Sequence, residues 1–191
     1  MKRRLMLAAA ASVAGANLLG CATTGEAADP NDENLSVFLG FIDMSDAPSD
    51  VSWVSVKGYG PNASNYLARV QDGLFFHIAV EPGSYQVDRF GGVSGFKGLF
   101  GRVHEYEWGT KGRNPSALRI DRPGVFFVGA HRYVPQKTGL FEQGKFEMVP
   151  SSGVTEREAL QLLLRLMQGD PSLSVYKHQL RRIKQKLGVE R

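Results

Sequence analysis

One serine stands in a glycine-flanked setting, Gly92-Val93-Ser94-Gly95, which invites comparison with a nucleophile elbow. An elbow needs Gly-x-Ser-x-Gly on a sharp strand-to-helix turn, so that the hydroxyl is lifted toward a base. Here the second glycine follows Ser94 directly and no helical pattern comes after it. Zinc catalysis would need three ligands and an open position. His77, His104 and His131 fall on or beside three separate strands, with no His-x-His or His-Glu-x-x-His pair to start a site. His104 alternates with Tyr106 and Trp108, the spacing of a half-buried aromatic strand face. Glu105 and Glu107 share the opposite face, about 7 Å apart by strand rise. Two carboxylates can serve glycosidase chemistry, but the same pattern describes a solvated strand face. Gly91 to Gly101 read as a loop whose dense glycines make the backbone mobile. Gly92, Gly95, Gly98 and Gly101 recur in it at every third position, without the Gly-Lys-Ser/Thr of a phosphate-cradling loop. No catalytic residue, metal set or cofactor is assigned, and the expectation is a protein that binds rather than catalyses. The alternative reading is an extracytoplasmic hydrolase or metal-dependent enzyme with a site built from strand and loop residues.

The one cysteine sits in a different chemical context. Lys2, Arg3 and Arg4 precede an uncharged run over residues 5–16, and a basic head followed by an apolar stretch of roughly 7–15 residues is a secretory signal. The run is shorter than the ~20 residues that cross a bilayer as a helix. It ends at Leu18-Leu19-Gly20-Cys21. That tetrapeptide resembles the lipobox of bacterial lipoproteins: an apolar residue, a tolerant position, a small residue and the acceptor thiol. The resemblance implies cleavage before Cys21, a diacylglyceryl thioether on its sulfur and acylation of the new N-terminus. It also implies a membrane partner held through lipid, and outer-membrane sorting with a periplasm-facing domain, because Ala22 replaces the aspartate that marks retention in related lipoproteins. The competing reading is ordinary secretory cleavage near Ala22 and a soluble product. Each buried methylene contributes about 0.8 kcal/mol, so two or three chains anchor stably where one is marginal.

Removing the leader also removes most of the net charge of +4, because three basic residues and no acid lie in it. The charge that remains is uneven. Residues 22–34 carry Glu26, Asp29, Asp32 and Glu33 with no base, whereas residues 171–187 carry Lys177, Arg181, Arg182, Lys184 and Lys186 with no acid. An exported chain with a balanced body does not fit nucleic-acid binding. With Cys21 acylated no thiol is left, which excludes disulfides and thiolate sites.

Residues 21–34 contain no aromatic residue and no branched aliphatic one, so they read as an acylated, disordered tether. From residue 35 to 150 short apolar segments alternate with turn signals. Strands are expected over 35–43, 51–57, 65–70, 74–80, 85–90, 103–108, 117–121, 125–130 and 145–149. The first is apolar on both faces and so buried on both. Asp72-Gly73 marks a type I′ hairpin, and Pro82-Gly83 a type II turn with glycine at the positive-φ corner. The fold class expected is mainly β, an antiparallel β-sandwich of eight or nine strands with two C-terminal helices over 151–191. Thr155 and Glu158 form a capping box for the first helix, and Asp170-Pro171 starts the second. In the second, Leu173, Tyr176, Leu180, Ile183 and Leu187 form one apolar stripe. The Pro-Gly corners at 82–83 and 123–124, each feeding an apolar strand, resemble small bacterial lipoproteins with a transthyretin- or immunoglobulin-like sandwich and no established catalytic residues.

Two surfaces are candidates for contact with a membrane or an envelope protein. Phe96, Leu99 and Phe100 lie in the glycine-rich segment and either fold over the end of the sandwich or dock on a partner. Lys177, Arg181, Arg182 and Lys184 give the last helix a basic face, which either only meets water or meets an anionic surface.

Overall fold

The computed structural model describes residues 28–60, 64–94, 101–108, 117–136 and 145–189. Among them, nine strands form one curled, mixed sheet, a half-barrel, and three helices follow at the C-terminal end. The strands are β1 (Ser36–Asp43), β2 (Trp53–Tyr59), β3 (Tyr66–Gln71), β4 (Leu74–Val80), β5 (Gly83–Ser94), β6 (Arg102–Glu107), β7 (Ala117–Ile120), β8 (Val125–Gln136) and β9 (Lys145–Pro150). Their order is β6-β5-β2-β3-β4-β1-β8-β9, with β7 also on β5.

A plain antiparallel sandwich is not what forms. β1 pairs antiparallel with β4 but parallel with β8, Val37 opposite Val125 and Asp43 opposite Arg132. Turn signals report only hairpins, whereas a parallel pair is joined by a long crossover that leaves no local mark. β3 turns the sheet's corner: Tyr66 to Ala68 pair with β2, and Arg69 to Gln71 pair with β4.

β1 alternates between two cores. Phe38 and Ile42 point into a cluster enclosed by the curl, with Val54, Phe75, Val87, Phe90 and Trp108. Val37 and Leu39 join Leu74 and Phe76 of β4 in a second cluster, which the helices cover. Full burial of such side chains contributes about 1.5–3 kcal/mol each. The curl is closed by rings rather than by a ladder, because β6 and β9 end the strand order unpaired with each other. Across that gap Tyr106 of β6 meets Phe146 of β9 edge-on at 5.0 Å, and Tyr133 of β8 stacks on Phe146 at 5.1 Å.

Local chemistry explains the turns. Asp72 and Gly73 both take positive φ, 50° and 82°, as a type I′ turn requires. Gly83 does not take the positive φ expected of it; it opens β5 as an extended residue, so no type II turn forms there. Gly91 and Gly92, read as the start of a mobile loop, are strand residues. A Cβ on Gly92 would collide with the Asp50 carbonyl, so the glycine allows a close backbone approach and β5 runs on to Ser94.

The helices are α1 (Glu156–Gly169), α2 (Pro171–Ser174) and α3 (Lys177–Leu187). The capping box at Thr155 is present: Thr155 Oγ1 accepts from the Glu158 amide at 3.3 Å, and Glu158 accepts from the Thr155 amide at 2.8 Å. The expected single second helix is broken into two, since Tyr176 takes ψ 67° and its amide closes back on Leu173 at 3.2 Å. The break rotates the stripe. Leu173, Ile183 and Leu187 are buried, Tyr176 and Leu180 only partly, and Gln179 is fully buried among them. Ile183→Ala should therefore cost about 2–5 kcal/mol and Leu180→Ala markedly less. Urea unfolding of the two variants checks the order, and equal losses would mean α3 packs through its expected stripe.

Candidate functional site

The chain enters β1 through carbonyls that no strand ladder can satisfy, and α3 supplies their donors. Gln179 Nε2 donates to the Asp32 carbonyl at 3.2 Å and the Leu35 carbonyl at 3.3 Å. Arg182 donates to the Leu35 carbonyl at 2.8 Å and to that of Glu33. Lys186 donates to the Val125 carbonyl at 2.8 Å, where β8 starts, and pairs with Glu156. Arg182 thus does not face water as its place in the basic stretch implied; it is half-buried against the entering chain. Asp32, Glu33 and Leu35 are held at their backbones, so the end of the segment read as a tether is fixed to α3. Arg181 remains exposed and Lys184 partly so, Lys177 is exposed at the first turn, and α3 contains no acid.

A groove runs between α2 and the corner where β3 leaves β4. Two depressions of about 260 and 170 Å³ share Arg69 and Phe76. Leu166, Asp170 and Leu173 line one, and Leu67, His77, Ser172 and Tyr176 line the other. Arg69 bridges the groove to Asp170 at 3.3 Å and to Ser172 at 3.4 Å. Ser172, with help from Arg69, holds the Asp170 carboxyl below the usual range. Where β3 turns away, side chains take over the pairing of β4: the Ala79 amide donates to His77 Nδ1 at 3.3 Å and the Glu81 amide to Tyr66 Oη at 3.2 Å. Burial, and secondarily the Arg69 charge, push His77 down from 6.5 to about 4. The ring is therefore neutral near pH 7 and can accept that bond.

The remaining candidates lie apart. Ser94 Oγ is 2.8 Å from His104 Nε2 across β5 and β6, a contact that Ser94 was not expected to make. No described carboxylate bonds to that imidazole, and Glu105 of the same strand points outward to Arg89 at 2.9 Å. His131 is buried with its ring edge-on to Trp108 at 4.8 Å, and burial lowers its pKa. Among the described residues no group of three His, Cys, Asp or Glu is placed to hold a metal. Cys21, Phe96, Leu99 and Phe100 lie outside the described residues. The clamp was missed although one signal pointed to it: Gln179 precedes Ile183 by four and Leu187 by eight, a polar residue on the apolar face.

Compared with models of known protein families, with characterised proteins and with solved structures, the chain matches none.

The His77 geometry sets an acid limit. Its folded pKa is about 4 against 6.5 when unfolded, so the unfolded chain binds the extra proton first. Stability is full above about pH 6.5 and falls as pH drops toward 4, by about 3 kcal/mol in total. His77→Gln should lose that part of the pH dependence. Urea midpoints measured from pH 7 to pH 4 on both proteins check this, and identical slopes would refute it.

Proposed function

We propose that this chain is a lipid-anchored protein of the bacterial envelope, held through Cys21, whose domain binds another envelope component and performs no chemistry itself. The observation that carries the reading is where the chain enters the domain. The last residues of the expected tether, Asp32 and Glu33, and Leu35 after them are clamped by Gln179 and Arg182, and the chain then becomes β1, bonded on both edges. A domain attached to a membrane by its N-terminus gains from having there a strand bonded on both edges and buried on both faces. The balanced charge of the body and the leader ending at Cys21 support the same reading. Ala22 after the cysteine favours the outer membrane, with the domain facing the periplasm. The groove beside Arg69 is where such a component would bind, since it combines apolar walls with a few fixed polar groups.

One observation favours a second reading. Ser94 and His104 stand at the distance of a nucleophile and its base, which would suit a hydrolase. The pair lacks an orienting carboxylate among the described residues, so the binding reading is preferred.

Expression with radiolabelled palmitate tests the anchor: the wild-type protein should carry label, and Cys21→Ser should carry none and accumulate as precursor or leave the membrane. Label retained by Cys21→Ser would refute the assignment. A fluorophosphonate probe tests the second reading, because labelling that disappears in Ser94→Ala would make the protein a hydrolase.

A further inference from the structure

The cations of α3 divide into two sets. Arg182 and Lys186 are engaged within the domain, on the carbonyls of Leu35, Glu33 and Val125. Lys177, Arg181 and Lys184 have no ion-pair partner among the described residues. In the sheet Arg69, Arg89, Arg119 and Arg132 each pair with an acid, while Lys57 and Arg102, on different strands, have no ion-pair partner among the described residues. On α3 three such cations share one short helix. Two exposed apolar residues, Val175 and Val189, stand at the two ends of the same helix. A helix whose inner side binds the chain entry and whose outer side offers unpaired cations flanked by valines has the composition of an interfacial surface.

The chain entry decides what that surface meets. Asp32 and Glu33 are bonded to α3 itself, so the segment leading back to Cys21 departs from beside this helix. Only ten residues separate Cys21 from Asp32, a reach of at most ~40 Å when fully extended. We infer that the outer face of α3, with Lys177, Arg181 and Lys184, rests against anionic phospholipid headgroups, and that the clamp turns this face toward the bilayer. The inference rests on the lipid-anchor reading and adds to it an orientation and a lipid class. The entering segment carries Asp29, Asp32 and Glu33, whose charge offsets part of the attraction, so the attraction orients the domain while the acyl chains hold it. Charges at such a surface are screened within about 8 Å at physiological salt, so the contact should be sensitive to ionic strength.

The test uses the full-length acylated protein in vesicles of phosphatidylcholine with phosphatidylglycerol, or of phosphatidylcholine alone. With Cys21 consumed by its thioether, a cysteine introduced elsewhere takes a fluorophore selectively. One label goes at Gln185→Cys, exposed on the outer side of α3; the other goes at Ser45→Cys, exposed just beyond the far end of β1. Quenching by headgroup spin-labelled lipid should be several-fold stronger at 185 than at 45 in the phosphatidylglycerol vesicles. The difference should shrink in phosphatidylcholine alone, at high salt, and in the triple variant Lys177→Glu, Arg181→Glu, Lys184→Glu. Lys177→Gln, Arg181→Gln, Lys184→Gln, with an unchanged circular dichroism spectrum, separates loss of charge from loss of fold. Equal quenching at the two positions in phosphatidylglycerol vesicles overturns the inference, and is also the result expected if α3 instead takes an anionic protein. Failure of the anchor reading shows separately, as protein without acyl label that does not float with vesicles at all.

Discussion

A strand bonded along both edges and buried on both faces constrains everything placed around it. β1 must satisfy its ladder groups with β4 on one side and β8 on the other, and must fill two cores at once with alternating side chains. Shifting it by one residue would exchange Phe38, Gly40 and Ile42 with Val37, Leu39 and Phe41, so that neither core would receive side chains of the shape it is packed around. The register is therefore pinned from both sides, and the parallel pairing with β8 is part of the pin. The helices are needed because the outer side of β1, β4 and β8 would otherwise expose Leu39, Leu74 and Phe76 to water.

The opposite side of the molecule is secured by a different force. Where the half-barrel fails to close, no ladder joins β6 to β9 among the described residues, and rings of Tyr106, Tyr133, Phe146 and Phe90 bridge the gap. Aromatic pairs of this kind add about 0.5–1.5 kcal/mol each beyond their buried area. Ring contacts tolerate small changes of distance that a ladder does not. The centre of the sheet is thus held by directional bonds and its seam by adaptable packing.

What was legible in the sequence followed from short-range physics. The double-sided burial of β1, the Asp72-Gly73 hairpin, the Thr155 capping box and the aromatic face of His104, Tyr106 and Trp108 each depend on neighbours within a few residues. What was not legible depends on distant partners. The parallel register of β1 on β8 has no local mark, and neither does the corner in β3, whose two halves serve different neighbours. Arg182 looked like its neighbour Arg181 because composition alone cannot separate a cation facing water from one facing the Glu33 and Leu35 carbonyls. Gly91 and Gly92 looked mobile because glycine signals both freedom and close approach, and only the Asp50 backbone pressed against Gly92 distinguishes them. Ser94 and His104 carry no sign of each other in the sequence, since nothing in a spacing of ten residues states that β5 and β6 are paired.

The polar groups of the domain are used largely to hold structure. An active site gathers titratable groups whose environments push their pKa values apart around a shared cavity. Here the perturbed groups are dispersed, and several hold structure: His77, lowered by burial, accepts the Ala79 amide, Asp170 caps α2 while meeting Arg69, and Glu158 closes the box with Thr155. His131, Tyr106 and Tyr133 are shifted chiefly by burial in the aromatic core. Tyr85, raised mainly by burial, donates to the Glu81 carbonyl at 2.9 Å. The same logic extends to α3, where Gln179, Arg182 and Lys186 satisfy carbonyls of the entering chain and of β8. Each of these groups fixes the direction in which a segment runs, and together they fix where the chain enters relative to the groove and to the outer face of α3. For a domain proposed to act at the end of a short lipid tether, that relation determines which surface meets the bilayer and which stays free for a partner.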